Sequence, residues 1–272
     1  MMREVSHSIR MAAQDGTLSL MDAAEIASEI GVSLARVEEM ALREDVWPLR
    51  YVRNSPAMSP SDQLRLLDSE VAVAGCGGLG GYVGILLARL GVGRIVFIDP
   101  DQFEESNLNR QVLCTLDTLG MHKAVAASAA VSRINPAACV KTVTKCVEHA
   151  EEHIQRADVV VDCLDCVGSR LHLSEICKKA GIPLVHGAVN SGWGQVAVEM
   201  PESGVLRRIY PEAEESIAGT LDSCVLAFAV SAVASLQAGE VWKLIIGLPS
   251  DLHGRWVFLD LRECEFEMPA GF

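Results

Sequence analysis

Val71-Ala72-Val73-Ala74-Gly75-Cys76-Gly77-Gly78-Leu79-Gly80 is an apolar run that breaks into glycines. A buried strand that enters a glycine-rich turn and then a helix builds an anion site. Glycine lets the backbone approach a phosphate closely, and the helix N-terminus adds unpaired N–H groups and partial positive charge. Arg94-Ile95-Val96-Phe97-Ile98 is a second strand-like run, and it delivers Asp99. That is roughly the ~20-residue spacing at which a nucleotide-binding βαβ unit places a ribose-binding carboxylate. Gly75, Gly77, Gly78, Gly80 and Asp99 are therefore expected to hold a nucleotide. The competing reading is that the glycines only permit tight strand–helix packing.

The next residues argue against a dinucleotide. Ser106, Asn107, Arg110 and Lys123 follow within one short span. Arginine is a fork for phosphate oxygens, and lysine a point charge on a flexible stem. That set suits a triphosphate held while it is attacked. Singly, each would read as a surface residue.

In combination, Gly-x-Gly-Gly-Leu-Gly at 75–80, Ile-Asp-x-Asp at 98–101, Ser-Asn-Leu-Asn-Arg-Gln at 106–111 and Gly-x-x-Lys at 120–123 resemble the ThiF/MoeB/HesA adenylyltransferases. These are relatives of the ubiquitin-activating enzymes. The similarity continues through Arg133-Ile134-Asn135-Pro136, Asp162-Cys163-Leu164-Asp165, Gly194-Gln195 and Ser235-Leu236-Gln237-Ala238 with Glu240 and Lys243. It covers roughly residues 55–265.

The resemblance implies a doubly wound, Rossmann-like α/β fold with a mostly parallel sheet, and ATP as the nucleotide. It implies adenylylation of the C-terminal glycine carboxylate of a small ubiquitin-like sulfur carrier ending in Gly-Gly, with release of pyrophosphate. Carriers of that kind serve cofactor or thiazole biosynthesis. Arg110, Lys123 and Asp165 match the family's catalytic positions. Asp165 would hold Mg²⁺, which binds carboxylates and substrate phosphates together. The family's arginine at position 110 can reach the partner protomer's site, which implies a homodimer. In the family an asparagine follows the aspartate at 165; here Cys166 follows. No rhodanese-like segment is appended, so sulfur would come from a separate donor. Alternatives are adenylation of another substrate, such as a modified tRNA base, a non-catalytic nucleotide-binding scaffold, or an NAD-dependent oxidoreductase.

Cysteine usage bears on metal. Cys163-Leu164-Asp165-Cys166 has zinc-like spacing, but zinc needs four ligands and no second such pair exists in the chain. Many family members carry two Cys-x-x-Cys pairs. Here the first region reads Leu206-Arg207-Arg208-Ile209-Tyr210, and the last keeps only Cys264. A structural zinc is therefore expected to be absent. Nine cysteines in a chain of 272 residues with α/β patterning read as reduced thiols. Cys224 is read as standing at the start of an apolar helix running to about Ile246, where the dipole favours a thiolate. It matches the family cysteine of thioester or persulfide chemistry.

The first 54 residues read as a helical arm, and 55–272 as the adenylyltransferase domain. Leu20 to Met40 is helical in pattern, with a tight turn at Gly31 and a second helix capped by Ser33. The spacing is that of a helix-turn-helix, but Leu34–Met40 carries more acid than base, and a groove-reading helix faces phosphates. A docking or dimer-stabilising arm is the expectation, with no nucleic-acid partner, consistent with a net charge of −13. Residues 55–60 read as a linker and 201–222 as a long mobile loop. No apolar run reaches the ~18 residues of a membrane span without a charge or glycine. The N-terminus has no apolar signal core. The expectation is a cytoplasmic protein with no membrane partner.

Overall fold

A computed structural model describes residues 2–211 and 224–269. Its N-terminal part is a small helical cluster: α1 (Met2–Ala12), α2 (Leu20–Ile30) and α3 (Leu34–Arg43), with two-residue parallel strands β1 (Thr17–Leu18) and β2 (Trp47–Pro48). Ser19 caps α2 by accepting from the Asp22 N–H. Gly31 ends α2 in the left-handed region at φ 74°, and Ser33 caps α3 through the Arg36 N–H. Val5, Ile9, Leu18, Ile26, Val37 and Met40 form a core belonging to this cluster.

Helix α3 packs on α4 (Pro60–Asp68). It buries Glu38 to 1% exposure, and Glu38 pairs with Arg50 at 2.5 Å. Arg50 also donates to Asn135 Oδ1 at 2.9 Å, and Asn135 Nδ2 donates to the Tyr51 hydroxyl at 2.8 Å. Desolvation raises the Glu38 carboxyl above its ordinary value, against the pull of Arg50. Burial pushes the Tyr51 phenol up to about 12. The helix that resembles a groove reader thus spends its inner face on the chain's own α4 and Arg50.

The remainder is a three-layer α/β unit. Among the described residues one sheet has eight strands: β3 (Glu70–Ala74), β4 (Arg94–Ile98), β5 (Cys139–Val143), β6 (Val159–Asp162), β7 (Leu184–Asn190), β8 (Trp193–Glu199), β9 (Trp256–Asp260) and β10 (Glu265–Glu267). Their spatial order is β5-β4-β3-β6-β7-β8-β9-β10. The pairings from β5 to β7 are parallel and the rest antiparallel. The mostly parallel, doubly wound expectation is met.

One face of the sheet carries α5 (Gly78–Leu90), α6 (Lys123–Ile134) and α10 (Ala227–Ile246), packed through Val71, Val73, Leu87, Phe97, Val230 and Val233. The other carries α7 (Glu151–Ile154), α8 (Val167–Ala180) and α9 (Val205–Ile209), packed through Ala72, Ala74, Ile98, Leu173 and Leu206. Strands covered on both faces need no polar alternation, which is why β3 and β6 read as unbroken apolar runs. Helix α10 is long and apolar enough to cross a membrane by length and composition, and half of it is buried inside the protein.

Residues 55–59 are turn and irregular chain, and Ser59 and Asp62 form a reciprocal capping box that starts α4 at Pro60. Two sequence expectations change. The 201–222 stretch is not all loop. Val205 and Leu206 are fully buried, the Leu206 N–H reaches Glu199 Oε1 at 3.3 Å, and residues 205–209 are helical. Residues 212–222 of that stretch lie outside the described residues. Cys224 does not begin the apolar helix. Helix α10 starts at Ala227 behind its cap Leu226, and Val225 bridges Ser191 in parallel fashion.

Candidate functional site

The carboxyl ends of β3, β4 and β6 meet at the glycine-rich turn, and the structure assigns its glycines two different reasons. Gly75 has φ 88°, and a Cβ there would stand 2.6 Å from the Cys163 carbonyl oxygen. A Cβ on Gly80 would overlap the Gly75 carbonyl. These two positions are glycine because backbone meets backbone. At Gly77 a Cβ would meet only the Gln111 side chain, at ordinary contact distance of 3.4 Å. Packing alone leaves Gly77 unexplained, whereas a ligand approaching the N-terminus of α5 explains it.

Asp99 is 5% exposed and closes the turn from the next strand. Its Oδ2 accepts from the Cys76 N–H at 2.6 Å and its Oδ1 from the Asp101 N–H at 2.8 Å. Burial raises its pKa above the ordinary carboxylate value, opposed by those two N–H groups and by Lys123. Lys123, the first residue of α6, is buried, and its Nζ lies 2.9 Å from Asp101 Oδ2.

The 104–111 segment folds back onto the glycine turn. Asn107 is buried, and its Oδ1 accepts from the Glu104 N–H at 3.1 Å. Ser106 is exposed. Arg110 donates to the Ser106 carbonyl and to Asn109 Oδ1, both at 2.9 Å. Gln111 is 6% exposed beside Gly77, and its Oε1 is buried without a hydrogen-bond partner. A lone buried acceptor facing a glycine turn is what a bound nucleotide's donor group would satisfy. Asn109 Nδ2 donates to the Val225 carbonyl at 3.3 Å, which brings the segment carrying Cys224 to the same rim. Cys224 is exposed, and its carbonyl accepts from the Ser191 N–H at 2.5 Å.

Asp165 is exposed on the loop after β6, whose Cys163 backbone touches Gly75. The helix that follows is capped by Cys166, not by Asp165. The structure therefore gathers the glycine turn, Asp99, Asn107, Lys123 and the Asp165 loop around the carboxyl ends of β3, β4 and β6. Arg110 is partly exposed and bonded within its own segment. Cys163 and Cys166 are half-buried lining, with the Cys163 thiol pushed well up by burial.

A second compartment adjoins the first, and sequence reasoning missed its chemistry. Arg170 on α8 donates through Nε and Nη2 to the Leu164 carbonyl at 3.0 and 2.6 Å. Its Nη1 donates to the Tyr210 hydroxyl at 3.0 Å. Arg170, Asn190, Trp193, Gln195, Tyr210 and Phe258 are prominent in lining a cavity of about 250 Å³. Below it, His186 is wholly buried, with Nδ1 2.6 Å from the wholly buried Asp162 Oδ2. Burial lowers the His186 pKa, against the hydrogen bond it makes to Asp162. A neutral ring gives its Nδ1–H to Asp162 and leaves Nε2 to accept from the Tyr210 hydroxyl at 3.2 Å. The one available signal was a polar His186 inside the apolar run Leu184–Val189.

Comparison with known proteins gives the family and the fold. A model described as the ThiF family matches residues 51–271. The SAMP-activating enzyme E1 of Haloferax volcanii is 39% identical over 226 residues, covering 80% of this chain and 83% of that protein. The adenylyltransferase and sulfurtransferase MOCS3 of Xenopus laevis is 34% identical, covering 80% of this chain but 50% of its own length. The chain thus spans about half of the MOCS3 relatives it matches. Among solved structures, PaaA superposes with TM-score 0.69 at 24% identity, covering 82% of each chain. MccB of E. coli with ATP superposes with TM-score 0.65 at 23% identity, covering 80% of this chain and 70% of that one. At that identity the two structures speak for the fold alone. The chain belongs to the ThiF family and is an adenylyltransferase.

Proposed function

We propose that the protein adenylylates the C-terminal glycine carboxylate of a small ubiquitin-like sulfur carrier, using ATP. The observation that carries this reading is the union of two compartments across the Cys163–Asp165 loop. One has a glycine turn, the unpartnered Gln111 acceptor and buried Lys123; the other is a cavity of about 250 Å³. A nucleotide and an acyl tail can then meet at that loop. The names of the Haloferax and Xenopus relatives support the same assignment.

In this reading Gly75, Gly77, Gly78 and Gly80 cradle the nucleotide. Asp99 takes a ribose hydroxyl with the lone pairs its two backbone donors leave free. Ser106, Asn107, Arg110 and Lys123 face the phosphates, and Asp165 would hold Mg²⁺, which would supply neutralisation of phosphate charge. The tail carboxylate, ionised at neutral pH, attacks the α-phosphorus, and the bond to pyrophosphate breaks. No general base is needed, so positioning and charge stabilisation supply the rate. Cys224, at the rim, would act after adenylation. A structural zinc is unnecessary in this scheme, because burial of Val205 and Leu206 and the Leu206–Glu199 bond hold the region where relatives place the first cysteine pair. A homodimer, in which Arg110 reaches the partner's site, accords with exposed Leu116, Val125 and Phe228. The helical arm of residues 1–54 braces the domain, and the compartment is the cytoplasm.

The test is ATP–pyrophosphate exchange with small carriers ending in Gly-Gly from the same organism. Exchange that requires the carrier and disappears in Arg110→Ala supports the reading. ATP binding without exchange for any carrier overturns it.

A further inference from the structure

The Tyr210 hydroxyl is the best-connected polar atom in the second compartment. It accepts from Arg170 Nη1 at 3.0 Å and from Gln195 Nε2 at 2.7 Å, and it donates to His186 Nε2 at 3.2 Å. The hydroxyl's one proton and both lone pairs are thus in use. Its three partners come from α8, β8 and β7, so Tyr210 is tied to three separate elements. The ring stands edge-on to His186 at 5.7 Å between centroids and walls the cavity.

Such saturation excludes one role and favours another. A hydroxyl without a spare lone pair takes no proton from a nucleophile, so Tyr210 is not a general base here. A phenol pinned from three directions is instead a fixed wall. His186 cannot touch a ligand, being wholly buried, but it supplies the acceptor for the Tyr210 proton. Asp162, beneath it, selects the ring tautomer by taking the Nδ1–H.

We propose that Tyr210 is a specificity wall for the acyl tail, and that His186, backed by Asp162, is a positioning residue acting through it. This rests on the adenylation reading above. The tail it selects is small-residue, because bulky Trp193, Tyr210 and Phe258 share the lining of a cavity of only about 250 Å³. Losing the hydroxyl leaves Arg170 Nη1 without its partner and lets Gln195 Nε2, 3.3 Å from His186 Nε2, turn to the ring instead, and the wall moves.

The experiment measures ATP–pyrophosphate exchange driven by Gly-Gly carriers, and anisotropy of a fluorescein-labelled ten-residue peptide ending in Gly-Gly, for wild type, Tyr210→Phe, His186→Ala and the double variant. Tyr210→Phe is expected to raise KM and Kd for the tail about tenfold, with kcat down less than threefold and ATP affinity within twofold. His186→Ala is expected to do the same, and the double variant to be no worse than the poorer single one, because both act through one wall. A purely structural role would give additive losses and weaken ATP binding as well. If His186→Ala does not fold, Gln195→Met replaces it in the cycle. Wild-type tail affinity retained in Tyr210→Phe overturns the inference and leaves adenylation standing. If no Gly-Gly probe binds or drives exchange in the wild type, the adenylation reading falls and the wall assignment with it.

Discussion

Lys123 Nζ lies 2.9 Å from Asp101 Oδ2, with the lysine side chain 11% exposed and the aspartate 61% exposed. The cation is buried while its counter-charge faces water. An incoming phosphate can displace the carboxylate without moving the lysine. Lys123→Ala is expected to lower kcat/KM for ATP about 100-fold, since a charged hydrogen bond to phosphate is lost. Asp101→Asn removes the competitor and should tighten nucleotide binding by about two- to fivefold. Exchange kinetics check the first and titration calorimetry with ATP the second, and weaker ATP binding in Asp101→Asn would contradict the displacement picture.

Gly75 and Gly77 are two residues apart but glycine for different reasons, so alanine should separate them. Gly75→Ala puts a Cβ against the Cys163 carbonyl at a φ of 88° and should lower the melting temperature by several degrees. Gly77→Ala meets only the end of Gln111. It is expected to keep the melting temperature within about 2 °C while weakening ATP binding about tenfold or more. Melting curves with and without ATP distinguish the two.

The Glu38–Arg50 pair joins the helical arm to Asn135 at the end of α6. Arg50→Ala would strand a carboxylate that is 1% exposed. Removing one partner of a buried pair costs about 3 kcal/mol, which for a chain of this size is about 5–10 °C in melting temperature. Arg50→Ala combined with Glu38→Leu should recover most of that loss, because an apolar replacement of both partners leaves no orphan charge. Calorimetry on the single and double variants decides it.

Burial sets His186 below its ordinary value of 6.5. Above pH 6.5 the ring is neutral in folded and unfolded chains, and pH has no leverage through it. As pH falls through 6.5 the unfolded chain gains a proton that the native protein refuses. Stability then declines, by at most about 1.4 kcal/mol per pH unit from this group, until the depressed native value is reached. Urea denaturation between pH 8 and 5.5 should show the slope in the wild type and a shallower one in His186→Asn. The groups facing the ring are Asp162, Arg170, Tyr210 and, more distantly, Glu199.

The proposed homodimer would bury Leu116, 80% exposed in this chain, and Phe228, 50% exposed. Leu116→Glu with Phe228→Glu is expected to halve the mass seen by sedimentation and to abolish exchange. A wild type that sediments as a monomer at micromolar concentration would refute the shared site.

Much of the molecule is local chemistry and was therefore legible in the chain. A strand, a glycine turn, a helix and an acid at the next strand end follow from period, propensity and spacing within about 30 residues, and so does the arm's turn at Gly31 between Ser-capped helices. Lys123 and Asn107 were legible because the family motif is contiguous. The short α9 was not, because its helicity comes from burying Val205 and Leu206 rather than from its own five residues. Asp101, the last residue of the Ile-Asp-x-Asp motif, received no role because an aspartate in a loop acquires meaning only from the lysine 22 residues later that it meets. The Asp162–His186 contact depends on the pairing of β6 with β7, which sets those two residues side by side. Tyr210 joins them only after α9 folds across the sheet. Sequence by itself determined the glycine turn, since its parts are neighbours along the chain. Only tertiary structure decided what lies beside it, since strand register and helix docking bring together side chains that no local pattern connects.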